Sequence, residues 1–281
     1  MTATAPKAPT APGVRSWWGI PYATAERYRR PVVADFDPDR PYDRKGVVSV
    51  QPDSGDWLEA DSGMGEDCLN LNVWAPEQPA DKALPVTVYI HGGGFEYGAN
   101  TQITSNASGL AATGRVVGVS VNYRLAEASN LCLQDVIAAL TWIKQNIAHF
   151  GGDPDNVTVY GHSGGAYATF GLPAARGALA HTAAGGNAHL LLIGPAEGAP
   201  AVHGTEMDAL VGQEKPGRSP EQAERDTRIR DIVLDFATGE QVRLWPAVAD
   251  RLTSGSVGNL PFEAGDHYQA ALGLWENIDR P

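Results

Sequence analysis

The sequence predicts an α/β protein built on a doubly wound, mostly parallel sheet, and three observations carry that prediction. Residues 84–90 (LPVTVYI), 115–121 (RVVGVSV) and 156–160 (NVTVY) are dense β-branched runs, the pattern of strands covered on both faces. Between the second and third runs, Val136, Ala139, Leu140, Ile143, Ile147 and Phe150 recur at three- and four-residue steps and predict an amphipathic helix. The third run enters a glycine-rich turn, GHSGG at 161–165, and then AYATF, which reads as the start of another helix. Strand, helix, strand, tight turn, helix is the order of a sheet whose functional loops gather at the carboxyl ends of its strands.

The remaining elements follow along the chain. Residues 1–15, rich in Ala, Pro and Thr, carry too little apolar side chain to pack and are expected as a disordered tail, with order beginning near Trp17. Residues 16–281 show no composition break and are expected as a single domain. LNLNVWAP at 69–76 alternates apolar and polar residues as a half-buried strand does. The helix over 133–150 is stopped by Gly151-Gly152 and Pro154. PAARGALAHTAAGG at 173–186 has no decided character, and HLLLIGP at 189–195 reads as a strand. Gln213 to Glu224 is polar and proline-bearing, hence an exposed loop, and the helix behind it ends at Gly239. A last helix is expected over 264–278.

Composition narrows the function. A net charge of −12 disfavours nucleic acid and anionic membrane, because binding to phosphate needs a basic surface. Cys68 and Cys132 lack metal-ligand spacing, and the start MTATAPKAPTAPGV holds no apolar signal or membrane segment, so the cytoplasm is the expected compartment. No metal and no cofactor are expected.

The chemistry centres on Ser163. A serine hydroxyl is a poor nucleophile at neutral pH and needs a base within hydrogen-bond reach and donors aimed at the developing oxyanion. G-x-S-x-G between a strand and a helix is the setting of a nucleophile elbow, and HGGGF at 91–95, at the end of another strand, is a glycine loop suited to supply backbone N–H donors. Either motif alone is weak. Two of them in order at two strand ends are not. Among seven histidines, His91 and His162 belong to the motifs and His149 ends the long helix. His189 begins a strand at the wrong end, His181 is unplaced, and His267 reads as a surface residue. His203, on the loop leaving the strand at 189–195, is the expected general base.

These residues also resemble a known family. WWGIPYATAERY, GEDCLNLNVWAP, LPVTVYIHGGGFEYG, VNYRL, the run from Leu133 through GHSGG, AVHGTEMDALVG and DFATG with LWP are similar, in order, to landmarks of the type-B carboxylesterases, which include the cholinesterases. The resemblance implies an α/β-hydrolase fold, Ser163 as nucleophile, His203 as base, Gly93, Gly94 and Gly164 as oxyanion donors, and a small-molecule ester as substrate. It also implies structural ion pairs at Glu66, Asp67 and Arg124. The family's usual elbow is Gly-Glu-Ser-Ala-Gly, so His162 and Gly164 are substitutions beside the nucleophile. Val50 stands where the family has a cysteine partner for Cys68, which leaves Cys68 free.

Only residues 164–202 separate Ser163 from His203, far fewer than in the family, which implies an internally shortened member with fewer strands and little or no lid. Glu197 is the sole carboxylate in that interval; it is either the orienting acid or an incidental surface group, and the second reading is the stronger. Missing strands would expose sheet edges and template a homodimer or aggregation. The expected activity is ester hydrolysis through an acyl-enzyme, with a related amidase or lipase, or a catalytically weak or inactive binding protein of the same fold, as alternatives.

Overall fold

The computed structural model describes residues 10–52, 63–78, 80–125, 131–166, 190–193, 207–211, 217–239 and 254–257. They group into two compact units, one made from the chain up to residue 169 with 211–213, the other from residues 170–210 and 214 onward.

The first unit is organised around a five-stranded sheet. Its strands are β1 (Val14–Pro21), β4 (Asn70–Pro76), β5 (Leu84–Ile90), β6 (Val117–Val121) and β7 (Gly152–Gly161), and β2 (Ala23–Thr24) and β3 (Val32–Val33) form a small separate pair. Spatial order is β1-β4-β6-β5-β7. Strands β6, β5 and β7 run parallel, and β4 and β1 join antiparallel at one side. The β-branched runs behave as their composition demands: every residue of β6 and the last five of β5 are buried. At about 1.5–3 kcal/mol for each fully buried aliphatic side chain, these strands anchor the core. Helix α1 (Ser108–Ala111) lies between β5 and β6 in the chain and helix α2 (Leu131–Asn146) between β6 and β7. The apolar stripe of α2 buries Val136, Ala139, Trp142 and Ile143 in the core, and a 3-10 turn over Ile147–Phe150 carries the helix to Gly151 at φ 82°.

Two sequence expectations change here. Strand β1 begins at Val14, ahead of Trp17. Strand β4 is covered on both faces rather than half-buried, because its polar alternates are partnered inside: Asn72 is fully buried, donating to the Asn100 carbonyl (2.9 Å) and accepting from the Gly19 N–H (2.9 Å). Asn70 donates to the Val47 and Cys68 carbonyls (2.7 and 3.2 Å). Arg124 pairs with Asp135: its Nε and Nη2 donate to the two carboxylate oxygens at 2.8 and 2.7 Å. Glu66 faces Arg27 at 3.6 Å on the surface. Cys68 is free and buried, and burial pushes its thiol up to about 11.

In the second unit, β8 (Leu190–Ile193) pairs parallel with β9 (Ser254–Val257), and α3 (Met207–Leu210) packs Ala209 and Leu210 against Ile229 and Ile232 of α4 (Pro220–Thr238). The expected loop over 213–224 ends at Ser219, because Ser219 and Gln222 form a reciprocal capping box and Pro220 opens the helix. That signal was present in the sequence as Ser-Pro-Glu-Gln. Gly239 at φ 72° ends α4 where expected. The segment 173–186 and the helix expected over 264–278 lie outside the described residues.

Candidate active site

Strand order creates the site. β6 lies on one side of β5 and β7 on the other, so the direction of winding reverses at β5, the place where the carboxyl ends of an open α/β sheet gather functional loops. Ile90 and Gly161, the last residues of β5 and β7, are register partners. The loop that starts at His91 and the turn that starts at His162 therefore leave the sheet side by side.

The turn is a tight one. Ser163 sits at φ 51°, a left-handed conformation that costs a non-glycine residue about 1–3 kcal/mol, and residues 164–166 begin a helix directly behind it. The flanking glycines are sterically required. A Cβ on Gly161 would lie 2.5 Å from the carbonyl carbon of Gly165, and one on Gly165 would lie 2.0 Å from the Ile90 carbonyl oxygen. The Gly165 N–H donates to the His162 carbonyl at 2.8 Å, closing the turn. G-x-S-x-G thus describes a backbone folded too tightly against β5 for any side chain at its outer positions.

The glycine loop is closed on itself. The Gly93 carbonyl accepts from the N–H groups of Glu96 (3.0 Å) and Tyr97 (3.1 Å), and Gly93 at φ 110° has no room for a Cβ, which would lie 1.8 Å from the Tyr97 carbonyl oxygen. Among the described residues, the Gly93 and Gly94 N–H groups donate no backbone hydrogen bond. His91 anchors the loop's start: its ring stacks on Tyr123 (4.3 Å between centroids, 12° between planes), and Nδ1 lies 2.8 Å from the Gly92 carbonyl oxygen. A carbonyl oxygen only accepts, so Nδ1 carries the proton. Burial lowers the His91 pKa from 6.5 to about 4, which keeps the ring neutral at pH 7.

Loop and turn meet. A Cβ on Gly92 would stand 2.8 Å from the His162 carbonyl oxygen and 3.1 Å from the Ser163 Cβ. One on Gly164 would stand 3.2 Å from the Gly94 nitrogen and 3.3 Å from the Phe95 nitrogen. Of the residues singled out in the sequence, Ser163, Gly94 and Gly164 are brought together, with Gly93 next in the loop. The Phe95 nitrogen was not singled out, since a backbone atom leaves no signature in residue type. His203 and Glu197 lie outside the described residues.

Residues 4–172 match the carboxylesterase family. This chain belongs to that family. Carboxylesterase-family relatives include a para-nitrobenzyl esterase of Bacillus subtilis (strain 168), 40% identical over an alignment 195 residues long that covers 61% of this chain and 40% of that protein. Acetylcholinesterase-1 of Trittame loki is 36% identical over 178 residues, 56% of this chain and 32% of the relative. Among solved structures, a thermophilic PNB esterase superposes with a TM-score of 0.54 at 30% identity, covering 91% of this chain and 56% of that one. The Geobacillus stearothermophilus carboxylesterase gives a TM-score of 0.51 at 31% identity, covering 82% and 51%. The fold is accordingly the α/β-hydrolase fold of these carboxylesterases, and this carboxylesterase-family chain spans about half or less of each relative's length. Among the described residues, no helix is long and apolar enough to cross a membrane.

Proposed function

We propose that this chain hydrolyses small carboxylic esters through an acyl-enzyme on Ser163. The observation that carries the reading is the meeting of the strained Ser163 turn with the Gly92–Gly94 loop at the carboxyl ends of β5 and β7. An ester carbonyl placed over Ser163 Oγ would direct its oxygen toward the N–H groups of Gly93, Gly94 and Gly164. His203 takes the hydroxyl proton as Oγ attacks the carbonyl carbon, and the negative charge that collects on the carbonyl oxygen is held by those donors. Collapse of the tetrahedral adduct expels the alcohol, which leaves with the proton from His203. Water then attacks the acyl-enzyme with His203 again as base, and the acid departs. The acetylcholinesterases and the para-nitrobenzyl esterase among the relatives are named for ester substrates, which supports this class.

His203 works in a dyad with Ser163, Glu197 having at most a minor role, so the reaction is slow. A fluorophosphonate probe, read by intact-protein mass spectrometry beside p-nitrophenyl acetate turnover, tests the reading. Stoichiometric labelling that disappears with Ser163→Ala, together with loss of turnover, is the expected result. Labelling that persists in Ser163→Ala overturns the assignment of the nucleophile, and an unlabelled, inactive wild type leaves the binding-protein alternative.

A further inference from the structure

We infer that Gln51 is a positioning residue for the oxyanion loop: its buried carboxamide clamps the backbone of Gly98, and Gly98 holds His91 and the Gly92 carbonyl in the arrangement that sets the loop against Ser163. The inference rests on the ester-hydrolase reading above and adds a residue that neither the glycine loop nor the elbow motif contains.

Gln51 is buried, and both ends of its amide are used on one residue. Oε1 accepts from the Gly98 N–H at 2.8 Å, and Nε2 donates to the Gly98 carbonyl at 3.0 Å and to the Ser49 carbonyl at 3.0 Å. A two-point grip on a single peptide backbone fixes both its position and its orientation, which one bond does not. Few side chains can make it. A carboxylate lacks the donors, an ammonium lacks the acceptor, and an aliphatic residue of the same length leaves a buried N–H and a buried carbonyl without partners.

What Gly98 then touches is the start of the glycine loop. Gly98 stands at φ 116°, and a Cβ there would lie 2.5 Å from His91 Nδ1 and 2.6 Å from the Gly92 carbonyl oxygen. Those two atoms are themselves bonded at 2.8 Å. Gly98 therefore lies flush against the His91–Gly92 hydrogen bond from one direction, while Tyr123 stacks on the imidazole and donates its hydroxyl to the His91 carbonyl at 2.7 Å. Gly92 is the residue whose absent Cβ would meet Ser163. The path Gln51, Gly98, Gly92, Ser163 is a series of direct contacts with no flexible side chain after the first link. The intervening residues are tied by the Glu96 and Tyr97 N–H bonds to the Gly93 carbonyl, so movement at Gly98 is passed to Gly93 and Gly94 rather than absorbed. Donors that stabilise a transition state must be held before charge develops, and a loop released at one end loses that organisation without losing its sequence.

The test compares Gln51→Met, which keeps length and removes all three side-chain bonds, with Gln51→Asn, which keeps donor and acceptor on a shorter stem. Rates are normalised to the folded fraction from near-UV circular dichroism. For p-nitrophenyl acetate, Gln51→Met is expected to lower kcat about tenfold or more with KM changed less than twofold. Inhibition by a trifluoromethyl ketone, whose serine adduct places an oxyanion in the same donors, should weaken by the same factor. Amide exchange in peptides covering residues 92–98 should quicken. Gln51→Asn should fall between wild type and Gln51→Met, and it supplies the measurement if Gln51→Met does not fold. An unchanged kcat per folded molecule in these variants overturns the inference, as does a loss of affinity for the ketone matched by an equal rise in KM. If the wild type neither turns over ester nor takes the fluorophosphonate, the ester-hydrolase reading fails by itself, and exchange at 92–98 still decides the clamp: unchanged protection in Gln51→Met and Gln51→Asn overturns it.

Discussion

Gly92 lies so close to Ser163 that a Cβ on the glycine would stand 3.1 Å from the serine Cβ, with the His162 carbonyl oxygen nearer still at 2.8 Å. The loop and the elbow are in direct backbone contact, so a side chain at this position must separate them. Gly92→Ala is expected to lower kcat by about a hundredfold or more, the usual consequence of losing an oxyanion donor, with a far smaller change in KM. Steady-state kinetics on an activated ester, with near-UV circular dichroism to verify folding, check this; unchanged turnover in a folded variant contradicts it.

The proposed dyad predicts an asymmetry between the two residues after the elbow. His203→Ala should remove nearly all hydrolysis. Glu197→Gln should change kcat/KM by less than about tenfold, roughly 1.4 kcal/mol, whereas a true orienting carboxylate costs about ten-thousandfold when neutralised in a serine protease. A loss near a thousandfold in Glu197→Gln would show a complete triad. Wild-type activity should rise from acid toward neutral as a group near pH ~6.5 loses its proton.

His91 makes stability depend on pH. Its pKa falls from 6.5 in the open chain to about 4 in the fold through burial, so the unfolded state binds the proton first. The contribution is complete above pH 6.5, declines as pH falls from 6.5 toward 4, and levels off below. The full effect is about 3 kcal/mol. Urea unfolding between pH 4 and 8 should show this decline in the wild type and a shallower one in His91→Gln, where nothing titrates.

Arg124 and Asp135 are 4% and 0% exposed, and the Arg124 side chain makes two charge-assisted bonds to the Asp135 carboxylate, so neutralising that carboxylate weakens both bonds to a buried guanidinium. Asp135→Asn is expected to destabilise the fold by about 3–5 kcal/mol. The double substitution Arg124→Met with Asp135→Leu should cost much less, because no buried charge is left unpaired. Urea midpoints of the single and double variants check both statements.

Local signals in the sequence determined the parts of this protein. β-branched density marked β5, β6 and β7, three- and four-residue apolar steps marked α2, and glycines around Ser163 marked a turn too tight for side chains. Each depends on residues a few positions apart, where backbone geometry and hydrophobic period are written directly. The pairing of parts depends on strand order, which no spacing encodes. Only the tertiary structure made Ile90 and Gly161 register partners, and with them made neighbours of two loops about seventy residues apart in the chain. It also turned polar alternation in β4 from a sign of exposure into a buried asparagine network, and identified Asp135 as a carboxylate that Arg124 holds. Gln51 shows the difference most plainly: in VSVQP it is one polar residue with no motif around it, and its partner Gly98 comes within 2.8 Å only when the sheet has closed. A side chain that acts on distant backbone carries no local pattern, because what it recognises is a shape that exists only after folding.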